Sequence, residues 1–136
     1  MKLYILDSTP LAAYLQGRKA VVDLVTPWII RREVATSILV YAEVTEYIKG
    51  LSDFARRHND LRRLLTEIYP YFLTYSILDR YADLRRLLRS PYGPGLIGDI
   101  DTLIAATALE RNLTVVTADK DFERIPGLQV NLISLK

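Results

Sequence analysis

Strand-type and helix-type stretches alternate along this chain, which predicts an α/β fold: a three-layer α/β/α sandwich with a mostly parallel central sheet. Three observations carry that expectation. Residues 3–6 form an unbroken apolar run, the pattern of a strand buried on both faces. Residues 113–117, Leu-Thr-Val-Val-Thr, read as another strand near the other end of the chain, directly after a helical stretch. Between them, Val40, Val44, Tyr47, Ile48, Leu51, Phe54 and Ala55 recur at helical spacing, the clearest periodicity in the sequence. The 136 residues fit one domain over 1–136, with no linker, repeat or low-complexity tract. A chain of this size buries enough surface to need no disulfide or structural zinc.

Each element has a local reason. After the strand at 3–6, Ser8-Thr9-Pro10 reads as a cap followed by a proline suited to a first helical turn, and the helix over 11–15 stops at Gly17. A second helix, 18–32, carries Val21, Val25, Trp28 and Ile29 on one stripe, with Pro27 expected to kink or split it. Residues 34–39 return to β-type side chains, and the long amphipathic helix comes next, reaching Ala55. A shorter helix through Leu61, Leu64, Leu65 and Ile68 ends before Pro70, and 71–75 is expected as a short strand. Ile77, Tyr81, Leu84 and Leu88 define the next helix, and the Pro- and Gly-rich segment 90–95 a loop. A helix over 99–111, the strand 113–117, a turn and a last strand at 129–133 complete the chain.

Composition narrows the chemistry. With no Cys there is no thiolate nucleophile, thiolate metal site or disulfide framework, and the apolar run of four near the N-terminus is too short for a signal peptide or membrane span. A soluble, cytoplasmic protein is expected. The net charge of +2 announces no polyanionic partner, yet thirteen of the eighteen basic residues are Arg, several in adjacent pairs: Arg31-Arg32, Arg56-Arg57, Arg62-Arg63 and Arg85-Arg86. The guanidinium fork suits phosphate, so a nucleic-acid partner and solvated, ion-paired helix faces both remain open.

The carboxylates are more informative. In open α/β sheets, ligands bind beyond the carboxyl ends of the strands, where Asp7 and Asp119 fall. Each alone is explained by turn or cap preference. Glu43, three residues after Val40 and four before Tyr47, lies on the apolar stripe of the long helix, whereas Glu46 shares the polar face with Lys49 and Asp53. A carboxylate pointed at a core needs a cation or hydrogen bonds to offset its desolvation. Asp101 heads a stripe of small side chains with Ala105 and Ala108, while Asp99 reads as the cap of the same helix. If Asp7, Glu43, Asp101 and Asp119 converge, each pair about 5 Å apart repels by on the order of 3 kcal/mol at an effective dielectric near 20. Divalent cations relieve that conflict, and oxygen-only donors select Mg²⁺ or Mn²⁺. His58, the one histidine, falls among Arg56, Arg57 and Asn59 and reads as a surface residue; Ser8 and Thr9 read as capping groups with no His nearby to activate them.

In these residues the chain resembles the PIN-domain ribonucleases, and within them the VapC-like toxins of type II toxin–antitoxin pairs. The matching blocks are Leu6-Asp7-Ser8 after the first strand, Ala42-Glu43-Val44 in a helix after the second, the run from Asp101 through Ala108, and Val116-Thr117-Ala118-Asp119-Lys120-Asp121-Phe122 followed by Ile125-Pro126-Gly127-Leu128. The resemblance implies a compact α/β/α sandwich and metal-dependent endonucleolytic cleavage of RNA. It carries Asp7, Glu43, Asp101 and Asp119 over as catalytic, metal-holding acids for Mg²⁺ or Mn²⁺, with Thr117, Asp99 and Asp121 as supporting residues. It also implies a homodimer held inactive by a small antitoxin. Residues 56–95 match no motif, and substrate choice is expected there. Two other readings are carried beside it: a PIN-like module that binds RNA or protein without cutting, and a different metal-dependent phosphatase or nuclease on a related fold.

Overall fold

The computed structural model describes residues 1–135. The strands are β1 (Tyr4–Leu6), β2 (Val34–Ser37), β3 (Tyr69–Tyr71), β4 (Thr114–Thr117) and β5 (Val130–Leu132). The helices are α1 (Ser8–Leu15), α2 (Lys19–Ile30), α3 (Ile38–Lys49), α4 (Phe54–Leu64), α5 (Tyr75–Leu88) and α6 (Asp99–Arg111), and a 3-10 helix spans Lys120–Arg124. One sheet of order β3-β2-β1-β4-β5 runs through the molecule, and every pairing in it is parallel. This is the α/β/α architecture that the alternating pattern predicts.

The apolar runs explain the sheet. Ile5 and Leu6 are fully buried in the central strand, opposite Ala35 and Thr36 on β2 and Val115 and Val116 on β4. Their side chains are covered by helices on both faces, so no alternation with polar residues is needed. The chain leaves β1 toward β2 on one side and returns to β4 on the other, which puts a topological switch point beside β1. Ala105, Ala106 and Ala108 are fully buried and let α6 lie close to the rest of the core. Asn112, in the left-handed conformation at φ 58°, ends α6.

Several boundaries differ from the sequence expectation, each for a local reason. The long helix stops at Lys49: Gly50 comes after it, and the Asp53 carboxylate accepts from Arg56 and Arg57 at the start of α4. Phe54 and Ala55 are therefore exposed instead of extending the apolar stripe. Pro27 does not split the second helix; α2 is one element through it, with Val21, Val25 and Trp28 buried and Trp28 stacked on Tyr4 at 3.9 Å between ring centroids. The strand expected at 71–75 is shifted to Tyr69–Tyr71, because Thr74 caps α5 through its side chain. Pro70 is tolerated there since β3 is an edge strand. Ser37 likewise ends β2 by capping α3. Asp99 is not the cap of α6; Gly98 takes that position and Asp99 is the first helical residue.

Candidate active site

Asp7 comes directly after β1, and its N–H still donates to the Val116 carbonyl at 3.0 Å, so the β1–β4 ladder fixes its backbone. It is 6% exposed, and the Thr117 hydroxyl donates to its Oδ2 at 2.8 Å. Thr117, fully buried at the end of β4, also accepts from the Asp119 N–H at 3.0 Å, so both roles of its hydroxyl are used and its rotamer is set. Asp119 in turn accepts from the Asp121 N–H at 2.9 Å, capping the 3-10 helix. The carboxyl ends of two neighbouring strands are thereby joined in one hydrogen-bonded chain.

Glu43 comes from α3, which begins immediately after β2 and so starts at the same end of the sheet. Its carboxylate is half-buried and accepts from the Ser8 hydroxyl, whereas Glu46 is exposed. Ser8 is thus not the cap read from the sequence. Asp7 occupies the N-cap position of α1, without a side-chain cap bond, and Ser8 orients Glu43 instead. The only advance signal of this was the adjacency of Ser8 to Asp7.

Asp101, in the first turn of α6, completes the group. Burial, then the charges of Asp7, Asp119, Glu43 and Asp121, push its carboxyl up to about 7. Burial also raises Asp7 above the usual carboxylate range, opposed by hydrogen bonds from Thr117 and the Ser8 N–H and reinforced by Glu43 and Asp119. Asp101 therefore lies within electrostatic reach of Asp7, Glu43, Asp119 and Asp121, and Asp7 of Glu43 and Asp119, at the carboxyl end of the sheet. Among the described residues no basic side chain forms an ion pair with Asp7, Glu43, Asp101 or Asp119; Asp121 pairs with Arg124 at 3.3 Å. Asp99 is not part of the cluster, because it turns toward α5 and accepts from Arg85 and Tyr81. His58 is half-buried rather than freely solvated, with its Nε2 2.9 Å from the Tyr41 hydroxyl.

Among the described residues no three acidic or imidazole groups stand in a ready-made metal cage. The donor set nevertheless suits a hard divalent ion: every candidate ligand atom is a carboxylate oxygen, and among the described residues Asp7, Glu43, Asp101 and Asp119 have no basic partner. An apolar groove between α1 and α3–α4, lined by Ala12, Leu15, Val44, Tyr47, Ile48 and Leu51, runs up to Ser8 and Glu43.

The profile of the PIN domain family matches residues 4–128. The chain belongs to the PIN domain family. PIN domains are generally nucleases and generally use divalent metal ions. A comparison with curated proteins finds no sequence match. Among solved structures, the chain is similar to one in the VapBC2 complex of Rickettsia felis bound to a promoter DNA fragment, at 21% identity and TM-score 0.85, covering 97% of this chain and 99% of that one. The DNA-bound VapBC of Salmonella typhimurium is similar at 19% identity and TM-score 0.83, covering 96% and 98%. FitAcB of Neisseria gonorrhoeae matches at 22% identity and TM-score 0.77, covering 94% and 96%. At these identities the likeness is one of fold. No helix among the described residues is long and apolar enough to cross a membrane.

Proposed function

We propose that this PIN domain is a metal-dependent endoribonuclease and the toxin of a VapBC-type toxin–antitoxin pair. The observation that carries the reading is the uncompensated gathering of Asp7, Glu43, Asp101 and Asp119 at one end of the sheet, with Asp101 raised to about 7 by burial and by that company. Those four carboxylates would hold Mg²⁺ or Mn²⁺. When bound, such an ion lowers the pKa of a water and stabilises charge on a cleaved phosphodiester. The chain's own residues supply the rest. Thr117 and Ser8 fix the carboxylates of Asp7 and Glu43, and the buried floor of the site limits water on the sheet side. Asp101, raised to about 7, is only partly ionised near neutral pH, and cationic charge favours its ionised form. Arg-rich helix faces offer phosphate contacts, and exposed Tyr side chains offer stacking surfaces for unpaired bases.

The same reading implies the partners. A small antitoxin would lay an apolar segment in the α1/α3–α4 groove, whose far end opens at Glu43. Solved relatives in VapBC complexes support that partner. A homodimer would cover the exposed side chains around the β3 edge: Tyr69, Phe72, Leu73, Tyr75 and Leu78.

Cleavage assays on RNA and single-stranded DNA with Mg²⁺, Mn²⁺ or EDTA test the activity. RNA cleavage that requires the metal and disappears in Asp7→Asn and Asp101→Asn is the expected result. RNA binding without cleavage in either metal would favour a non-cutting module, and cleavage of DNA alone would replace the proposed substrate.

A further inference from the structure

The first turn of α6 brings Asp101 to the acidic cluster; Thr102 in that turn is buried, but no side-chain cap holds the start of the helix. Its N-cap is Gly98, with no side chain to cap the turn, and the bonds from Thr102 to the Gly98 carbonyl tie the turn only to itself. Like charge from Asp7, Asp119, Glu43 and Asp121 meanwhile favours moving Asp101 away.

The opposing contact comes from α5. Asp99 precedes Asp101 by two residues, about 200° around the helix, so it projects from the other side of the turn. Its Oδ1 accepts from Arg85 Nη1 at 2.7 Å and from the Tyr81 hydroxyl at 3.1 Å. The Arg85 guanidinium also lies 5.9 Å from the Tyr81 ring centroid, one helical turn back on α5. Arg85 is 27% exposed against 70% for Asp99, so the guanidinium is the fixed partner and the start of α6 is the part it retains. A second bridge, Arg80 to Glu110 at 3.2 Å, joins the same two helices near the C-terminal end of α6, far along the helix from Asp101.

The geometry points to Arg85, braced by Tyr81, as a positioning residue that ties the first turn of α6 to α5 and keeps Asp101 in register with Asp7, Glu43 and Asp119 for a shared divalent cation. This rests on the metal-dependent reading above and deepens it. The test is a Mn²⁺ titration of the metal-free protein by calorimetry, comparing wild type with Arg85→Ala, Asp99→Ala, the charge-swapped Arg85→Asp/Asp99→Arg pair, and Arg80→Ala. Arg85→Ala and Asp99→Ala are expected to weaken Mn²⁺ binding about 10-fold or more, as loss of a group that orients metal ligands does. The swapped pair should recover most of that loss, and Arg80→Ala should bind like wild type. In cleavage, Arg85→Ala should lose rate at limiting Mn²⁺, regain it at saturation and keep its KM for RNA. If Arg85→Ala does not fold, Tyr81→Phe and Asp99→Ala carry the same readout. Wild-type Mn²⁺ affinity in folded Arg85→Ala, or an equal loss in Arg80→Ala, overturns the positioning role while leaving the nuclease reading intact. A wild-type protein that binds no Mn²⁺ overturns both.

Discussion

Two side chains set the chemistry of the cluster, and each makes a distinct prediction. Asp101 is held near 7 in the folded protein against about 4 for an unfolded Asp. Between those values the folded state binds more protons, so metal-free stability falls as pH rises from about 4 to about 7 and stays reduced above. In EDTA, the melting temperature should drop from about pH 5 to about pH 8. Asp101→Asn should flatten that slope and stabilise the protein at the higher pH by on the order of 1–2 kcal/mol after solvent screening. Parallel melting curves for wild type and variant would remove Asp101 as the source. Thr117 acts differently, since it donates to Asp7 and accepts from the Asp119 N–H. Thr117→Val removes the partner of the Asp119 N–H and leaves Asp7 with the Ser8 N–H alone, costing about 1–3 kcal/mol in chemical denaturation. It should also weaken Mn²⁺ binding about 10-fold or more, because two acids lose their orientation together. Asp7 and Glu43 were legible from the sequence as a strand-end acid and an acid on an apolar stripe. Ser8 was not, because one hydroxyl beside a helix start looks the same whether it caps the helix or bonds a residue 35 positions away.

At the scale of elements, α6 matters most, because one short helix supplies both a buried small-residue face and Asp101. Ala105, Ala106 and Ala108 are fully buried, so Ala105→Leu has no space to fill. It should cost about 1–3 kcal/mol or more and shift the helix that carries Asp101. Urea denaturation and cleavage should therefore fall together. Thr74→Ala, which removes the α5 cap, is the contrast: about 1 kcal/mol less stability with RNA cleavage retained. Unchanged stability in Ala105→Leu would mean that α6 packs more loosely than its burial implies. The bounds of α6 were readable because helix periodicity coincides with strong local signals, whereas α1 starts at Ser8, ahead of the 11–15 expected, because Asp7 takes the N-cap position. The break at Gly50 and the shift of β3 were not, since Leu51 and Phe54 continue the helical spacing by chance and Thr74 reveals its role only through the N-terminus of α5 that it caps.

For the whole molecule, the proposed metal site would couple folding to cation binding. At about 100 times its dissociation constant, Mn²⁺ should stabilise the fold by about 2.7 kcal/mol, visible as a melting-temperature rise of several degrees that EDTA reverses. Binding should release protons, more below about pH 7 than above, because Asp101 still holds one there. Calorimetry in buffers of different ionisation enthalpy measures that release, and its absence would show that the ion binds elsewhere. The sequence alone determined the alternating architecture and singled out the candidate acids, because burial on two sheet faces and a charge on an apolar stripe leave their mark within a few residues of chain. Tertiary structure decided which hydroxyls steer those acids, that Asp99 turns to Arg85 instead of the cluster, and where helices break, because these depend on contacts between segments far apart in sequence. A pairwise hydrogen bond or ion pair across the fold leaves no periodicity for a sequence to display.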